Sequence, residues 1–132
     1  MKNTILFLAL ALLALLLLMA KDAHGQEVYE MEPVYEVPAP CAKYLDEIEK
    51  YDWDVVLAVR IMHAESKCSP DAVNRKDSHG RCNGSYGLLQ LACIHKGGNK
   101  LDPAENIRMA YEIYEKAGKS FRPWSTFRLI TK

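Results

Sequence analysis

What this 132-residue sequence has little of narrows its possibilities first. It has no charge to spare, since 17 basic side chains balance 17 acidic ones. Even residues 41–132, with 15 basic against 12 acidic side chains, reach only +3, far from the dense basic stripe of a nucleic-acid binder. Nowhere in those residues is an apolar/polar alternation sustained, which argues for a mostly helical domain. No internal repeat is visible, so an array of stacked units is excluded. Cys41, Cys68, Cys82 and Cys93 contain no closely paired knuckle, so a structural zinc site built from them with His79 and His95 is disfavoured. No cysteine stands at the end of the N-terminal apolar run, which excludes lipid attachment there.

What is present begins with that run. Met1-Lys2-Asn3-Thr4 precedes 16 consecutive apolar residues, 5–20, the pattern of an export signal. The run is just shorter than the roughly 17–25 residues that span a bilayer. Ala23-His24-Gly25 offers a small-x-small cleavage site that would leave Gln26 as the mature N-terminus, and Leu18-Met19-Ala20 a poorer one. Residues 1–25 therefore read as a signal peptide or an uncleaved N-terminal anchor, and either form carries the rest of the chain across a membrane. Residues 26–40 are acidic and contain Pro33, Pro38 and Pro40, as an extended linker does. Val28, Glu30, Glu32 and Val34 could mimic an edge strand, but Pro33 opposes it. Residues 41–132 are left as one small domain, which buries only about 60–65% of its unfolded surface and gains from covalent staples. With an export signal, an even cysteine count points to disulfides, each contributing about 2–4 kcal/mol. Four cysteines allow three connectivities, and spacing does not choose among them. The pairing expected is Cys41–Cys68 with Cys82–Cys93.

Within the domain, residues 41–51 are rich in helix formers, with Tyr44, Leu45 and Ile48 on one face. Asp52 is a candidate cap for a helix over 53–66. Residues 67–86 contain Pro70, Asn74, Gly80, Asn83 and Gly84 and read as turns, and 87–91 could start a short buried helix. Asp102-Pro103-Ala104-Glu105 is a helix start with a cap, a first-turn proline and a reciprocal glutamate. That helix should run to 117, with Gly118 ending it, and a short one should follow Pro123. Trp53 and Trp124 could stack on sugars but sit where core or cap residues do.

Along the helix over 53–66, Leu57, Ala58, Ile61, Ala64 and Glu65 share one face, so a carboxyl continues an apolar stripe. Desolvation and the orphan carbonyls of the helix end both favour its protonated form. Cleavage of an acetal needs such an acid, because the leaving oxygen must take a proton as the bond breaks. Periodicity alone also fits a glutamate that turns to solvent or pairs with Lys67 or Arg60.

Glu65-Ser66, then Asn74, then Gly84-Ser85-Tyr86-Gly87-Leu88-Leu89-Gln90, then Asn106-Ile107 opening a helix, resemble the soluble lytic transglycosylases and their goose-type lysozyme relatives. The likeness covers residues 41–127 and implies a lysozyme-like, mainly α domain within the α+β lysozyme superfamily. It implies Glu65 as catalytic acid/base and Ser66 as the residue holding the helix end. It places Asn74, Ser85, Gly87, Gln90 and Tyr111 among the substrate-contacting candidates, with Leu88, Leu89 and Leu91 as core. The family's later Ala-Tyr-Asn-Ala-Gly segment has no counterpart; the chain has Phe121-Arg122-Pro123-Trp124-Ser125-Thr126-Phe127 instead, and Tyr111 or Tyr114 would have to supply the missing hydroxyl.

The activity implied is cleavage of the N-acetylmuramic acid–N-acetylglucosamine bond of peptidoglycan by a monomer, with no cofactor, no metal and no nucleic-acid partner. The membrane would be touched only through residues 1–25. With Glu65 alone the product is a 1,6-anhydro sugar. Hydrolysis would need a second carboxylate, for which Asp71 and Asp77 are available, although both read first as turn formers. A silent glycan-binding module on the same fold is the alternative from another class. The proposed Cys41–Cys68 bridge would pin the opening helix to the end of the one bearing Glu65, and Cys82–Cys93 would close a loop around 87–90.

Overall fold

The computed structural model describes residues 35–132. The signal segment, its cleavage sites and residues 26–34 of the linker lie outside the described residues. Of the expected linker, Tyr35 and Val37 fall within the described residues and pack, partly buried, against the core.

The expected first helix is two short ones, α1 (Ala39–Ala42) and α2 (Leu45–Ile48). The break falls at Tyr44, whose φ of −105° and ψ of 0° leave the helical region while Cys41, Tyr44 and Ile48 all turn into the core. Helix α3 (Val55–Ser66) is capped by Asp54, whose Oδ1 accepts from the Leu57 N–H at 2.9 Å. Asp52, the expected cap, instead pairs with Lys119 at 2.5 Å. Lys67 and Cys68 then turn sharply with φ of 54° and 60°, and the Cys41–Cys68 disulfide ties this corner to α1.

The main correction concerns residues 67–86. They are not merely turns: β1 (Val73–His79) and β2 (Cys82–Tyr86) form an antiparallel hairpin closed at Gly80, and β3 (Leu91–Ala92) adds to β2. The register slips between Asn74 and Ser78. Residues 87–90 form a turn rather than a helix, because Gly87 (φ 76°) and Gln90 (φ 46°) occupy left-handed conformations. The second disulfide, Cys82–Cys93, spans this turn, so both expected pairings are present.

Helix α4 (Pro103–Lys116) starts as anticipated, with Asp102 Oδ1 accepting from the Glu105 N–H at 2.9 Å, and ends before Gly118 at φ 73°. Helix α5 (Phe127–Ile130) begins four residues after Pro123, and Arg60 Nη2 donates to its last carbonyl at 2.8 Å.

The core is built from Ile48, Ile61, Met62, Leu88, Leu89, Leu91 and Ile107, all but sealed from water. Each contributes about 1.5–3 kcal/mol by burial. Trp53 and Trp124 belong to it. Trp53 Nε1 donates to the Ile48 carbonyl at 2.9 Å and Trp124 Nε1 to that of Leu89 at 2.8 Å. Among the described residues, the polar side chain sealed deepest is that of Asn106. Asn106 donates to the carbonyls of Tyr86 (3.0 Å) and Lys100 (2.7 Å) and accepts from the Leu89 N–H (2.9 Å). It thereby ties both Leu89 of the 87–90 turn and Tyr86 just before it to α4, and the 100 loop as well, with none of its own side-chain polar atoms left unpaired.

Candidate active site

Glu65 is the penultimate residue of α3, half-buried where that helix meets the sheet. It lines a cleft of about 290 Å³ whose other walls include Asp77 and His79 of β1, Ser85 of β2, Gln90, Leu91, His95 and Trp124. Burial pushes the Glu65 carboxyl above the ordinary carboxylic range, and the negative charge of Asp77 adds to the rise. Thr126 opposes it by donating its hydroxyl to Glu65 Oε1 at 2.6 Å. That hydroxyl comes from the 121–127 stretch which stands where the family's tyrosine segment was missing. Tyr111 and Tyr114 do not supply it.

Asp77 is pushed the other way. Ser85, itself buried, donates its hydroxyl to Asp77 Oδ2, and His79 Nε2 lies 2.9 Å from the same oxygen. Both partners favour the anion and hold Asp77 below its ordinary range. Asp77 was expected in a turn; it stands instead on a strand, facing the cleft that holds Glu65. Asp71 does lie in the exposed turn before β1.

The remaining expected site residues divide between support and distance. Ser66 donates to the Leu88 carbonyl at 2.7 Å, with that of Met62 at 3.2 Å, and so clamps the end of α3 to the 87–90 turn. Gln90 lines the cleft, but its amide nitrogen is taken by the carbonyls of Gly87 (3.0 Å) and Ala72 (3.1 Å), leaving its oxygen as the group to meet a ligand. Gly87 is buried, and a Cβ there would collide with the Lys100 carbonyl and the Asn106 amide. Its lack of a side chain thus serves the packing of the turn on α4 rather than the approach of a sugar. Asn74 is exposed on β1, accepting from the Lys76 N–H at 3.2 Å, outside the cleft lining. Tyr111 sits in an aromatic cluster, its ring 4.8 Å from that of Tyr51 and 5.4 Å from that of Trp53, and likewise does not line the cleft.

Thr126 and His79 carry no local signal of a catalytic role, whereas Asp77, named with Asp71 as an available second carboxylate, is the one of the two that lines the cleft. In the sequence, His79 and His95 suggest only conceivable metal ligands. Among the described residues no three His, Cys, Asp or Glu side chains stand together as a metal site.

Glu65 at the end of α3 and Asp77 on the neighbouring hairpin thus line one cleft, with the proton affinity of the first raised and that of the second lowered. The chain belongs to the lysozyme-like domain family, whose model matches residues 49–126. No curated protein and no solved structure matches the chain. Cleavage of glycosidic bonds is the general activity that this family suggests. The two disulfides agree with an extracellular, wall-acting protein. No helix among the described residues is long and apolar enough to cross a membrane.

Proposed function

We propose that the protein hydrolyses the β-1,4 bond between N-acetylmuramic acid and N-acetylglucosamine in peptidoglycan, with Glu65 as general acid and Asp77 as general base. One observation carries this reading: two carboxyl groups share a cleft and their surroundings drive their proton affinities apart. Glu65, whose proton affinity burial raises, gives its proton to the leaving oxygen. Asp77 stays ionised and takes a proton from water entering from the opposite face of the sugar, so that the anomeric carbon inverts. Residues 1–25 would deliver the domain to the wall.

The 1,6-anhydro product expected from the resemblance remains the competing reading, and the Glu65-Ser66 and 84–90 motifs favour it. There Glu65 alone would serve as acid and then as base toward the muramyl C6 hydroxyl, and Asp77 would have no proton to carry. Reducing-end analysis of digested wall fragments separates the two. Hydrolysis predicts a free reducing sugar of inverted configuration, and an anhydro product would refute it.

The contact with Thr126 yields a second expectation. Its hydroxyl favours the ionised form of Glu65, so Thr126→Val raises the Glu65 proton affinity further. The alkaline limb of the pH–rate profile should move to higher pH, while Thr126→Ser retains the wild-type limb. An unmoved limb in Thr126→Val would show that another group controls the alkaline side.

A further inference from the structure

The cleft continues past the carboxyl pair. A second hollow of about 330 Å³ opens beside it and shares His95 and Ile113 with it as walls. Its lining is mostly polar, with Lys96 and Lys116 on it, and Ile94 and Met109 add an apolar patch beside Ile113. Its one carboxylate, Glu112, is already taken by Arg108 one helical turn earlier. Lys96 is held at the edge, its Nζ donating to the Cys93 carbonyl at 3.3 Å. Among the described residues, neither Lys96 nor Lys116 has a carboxylate partner.

We propose that this second hollow receives an acid-bearing, short aliphatic substituent of the glycan, the carboxylated peptide carried by the muramyl unit, while the sugar strand occupies the first. The assignment rests on the glycan-cleaving reading of the neighbouring cleft. The exposed Ile94 offers apolar contact to a short aliphatic chain, and the two lysines suit its terminal carboxylate. The surroundings of His95 agree. Burial and the positive charges of Lys100, His79 and Lys116 all lower its proton affinity; His79 is paired with Asp77, but among the described residues Lys100 and Lys116 have no carboxylate partner. A bound carboxylate supplies that partner.

The test uses the full chain and a muramyl-peptide disaccharide in two forms, with its peptide carboxylates free or capped as amides. Calorimetry should show wild type binding the free acid about threefold to tenfold more tightly than the amide. That preference should vanish in Lys96→Ala/Lys116→Ala, persist in Lys96→Arg/Lys116→Arg, and shrink as salt rises. Equal affinity for the two forms, no binding at all, or a preference untouched by the alanine pair would overturn the proposal. Cleavage is read separately on whole strands. A chain that binds the acid selectively yet cuts nothing would refute the glycosidase reading and leave this site standing.

Discussion

Glu65→Gln should reduce peptidoglycan clearing by about a hundredfold to ten-thousandfold while leaving the protein at least as stable as wild type near neutral pH. The two halves of this expectation share one cause. Glutamine has nearly the shape of glutamic acid and can still accept the Thr126 hydroxyl, but it has no proton to give to a leaving oxygen. The carboxyl of the folded protein binds its proton more tightly than that of the unfolded chain, because burial penalises the anion. Its contribution to stability is therefore complete below the ordinary glutamate value, about 4.3. It is lost as pH rises through the elevated folded value. Above that value wild type holds a half-buried anion and the glutamine variant does not. Thermal unfolding at roughly pH 4 and pH 7 should accordingly show the variant gaining relative to wild type at the higher pH. A variant that unfolds early at both values would mean that the lost activity reports a damaged fold. Retention of clearing would remove Glu65 from the chemistry altogether.

The same residue shows what a sequence of this kind reveals. Glu65 is legible because its setting is local: one helix, one apolar stripe and a carboxyl placed at its end. Asp102 and Pro103 are legible for a similar reason, since a helix start depends on side chains within one turn of each other. The hairpin of β1 and β2 is not local in that sense. Its outer strand, from Val73 to His79, carries Arg75, Lys76 and Asp77 and is largely exposed, so it never alternates apolar with polar residues. It forms because β2 pairs with it and Gly80 turns it, and because Cys82–Cys93 ties the far edge.

With the strand hidden, the place of Asp77 was hidden too: an aspartate between turn residues reads as another turn former. Asn106 and Gly87 show the same limit from inside the core. Their roles are one contact seen from both sides, the amide of Asn106 lying where a Gly87 Cβ would be, 19 positions apart in sequence. The order of motifs announced the family, but only the packed turn explains why the glycine and the asparagine belong together. Asp54 over Asp52 is a smaller case, decided by Trp53 turning into the core before the helix begins.

Asp77→Asn is the second variant with a large expected effect, and it divides hydrolysis from intramolecular attack. If Asp77 takes a proton from water, the amide cannot replace it, and clearing should fall by about a hundredfold or more. If the muramyl hydroxyl is the nucleophile and Glu65 handles both protons, the change should cost less than about tenfold, since only a nearby charge is lost. The pH profile adds an independent reading. Ser85 and His79 hold the Asp77 carboxyl below its ordinary range, so in wild type the acid limb should lie below the usual aspartate value of about 3.9. The residual activity of Asp77→Asn should lose that limb, because the group that becomes protonated there is gone. The alkaline limb should move slightly down, because the Asp77 charge that helps to raise the proton affinity of Glu65 has been removed. Loss of the acid limb together with a large fall in rate makes Asp77 the base. A preserved acid limb with near-normal clearing would return the proton transfers to Glu65 alone and make the anhydro sugar the expected product.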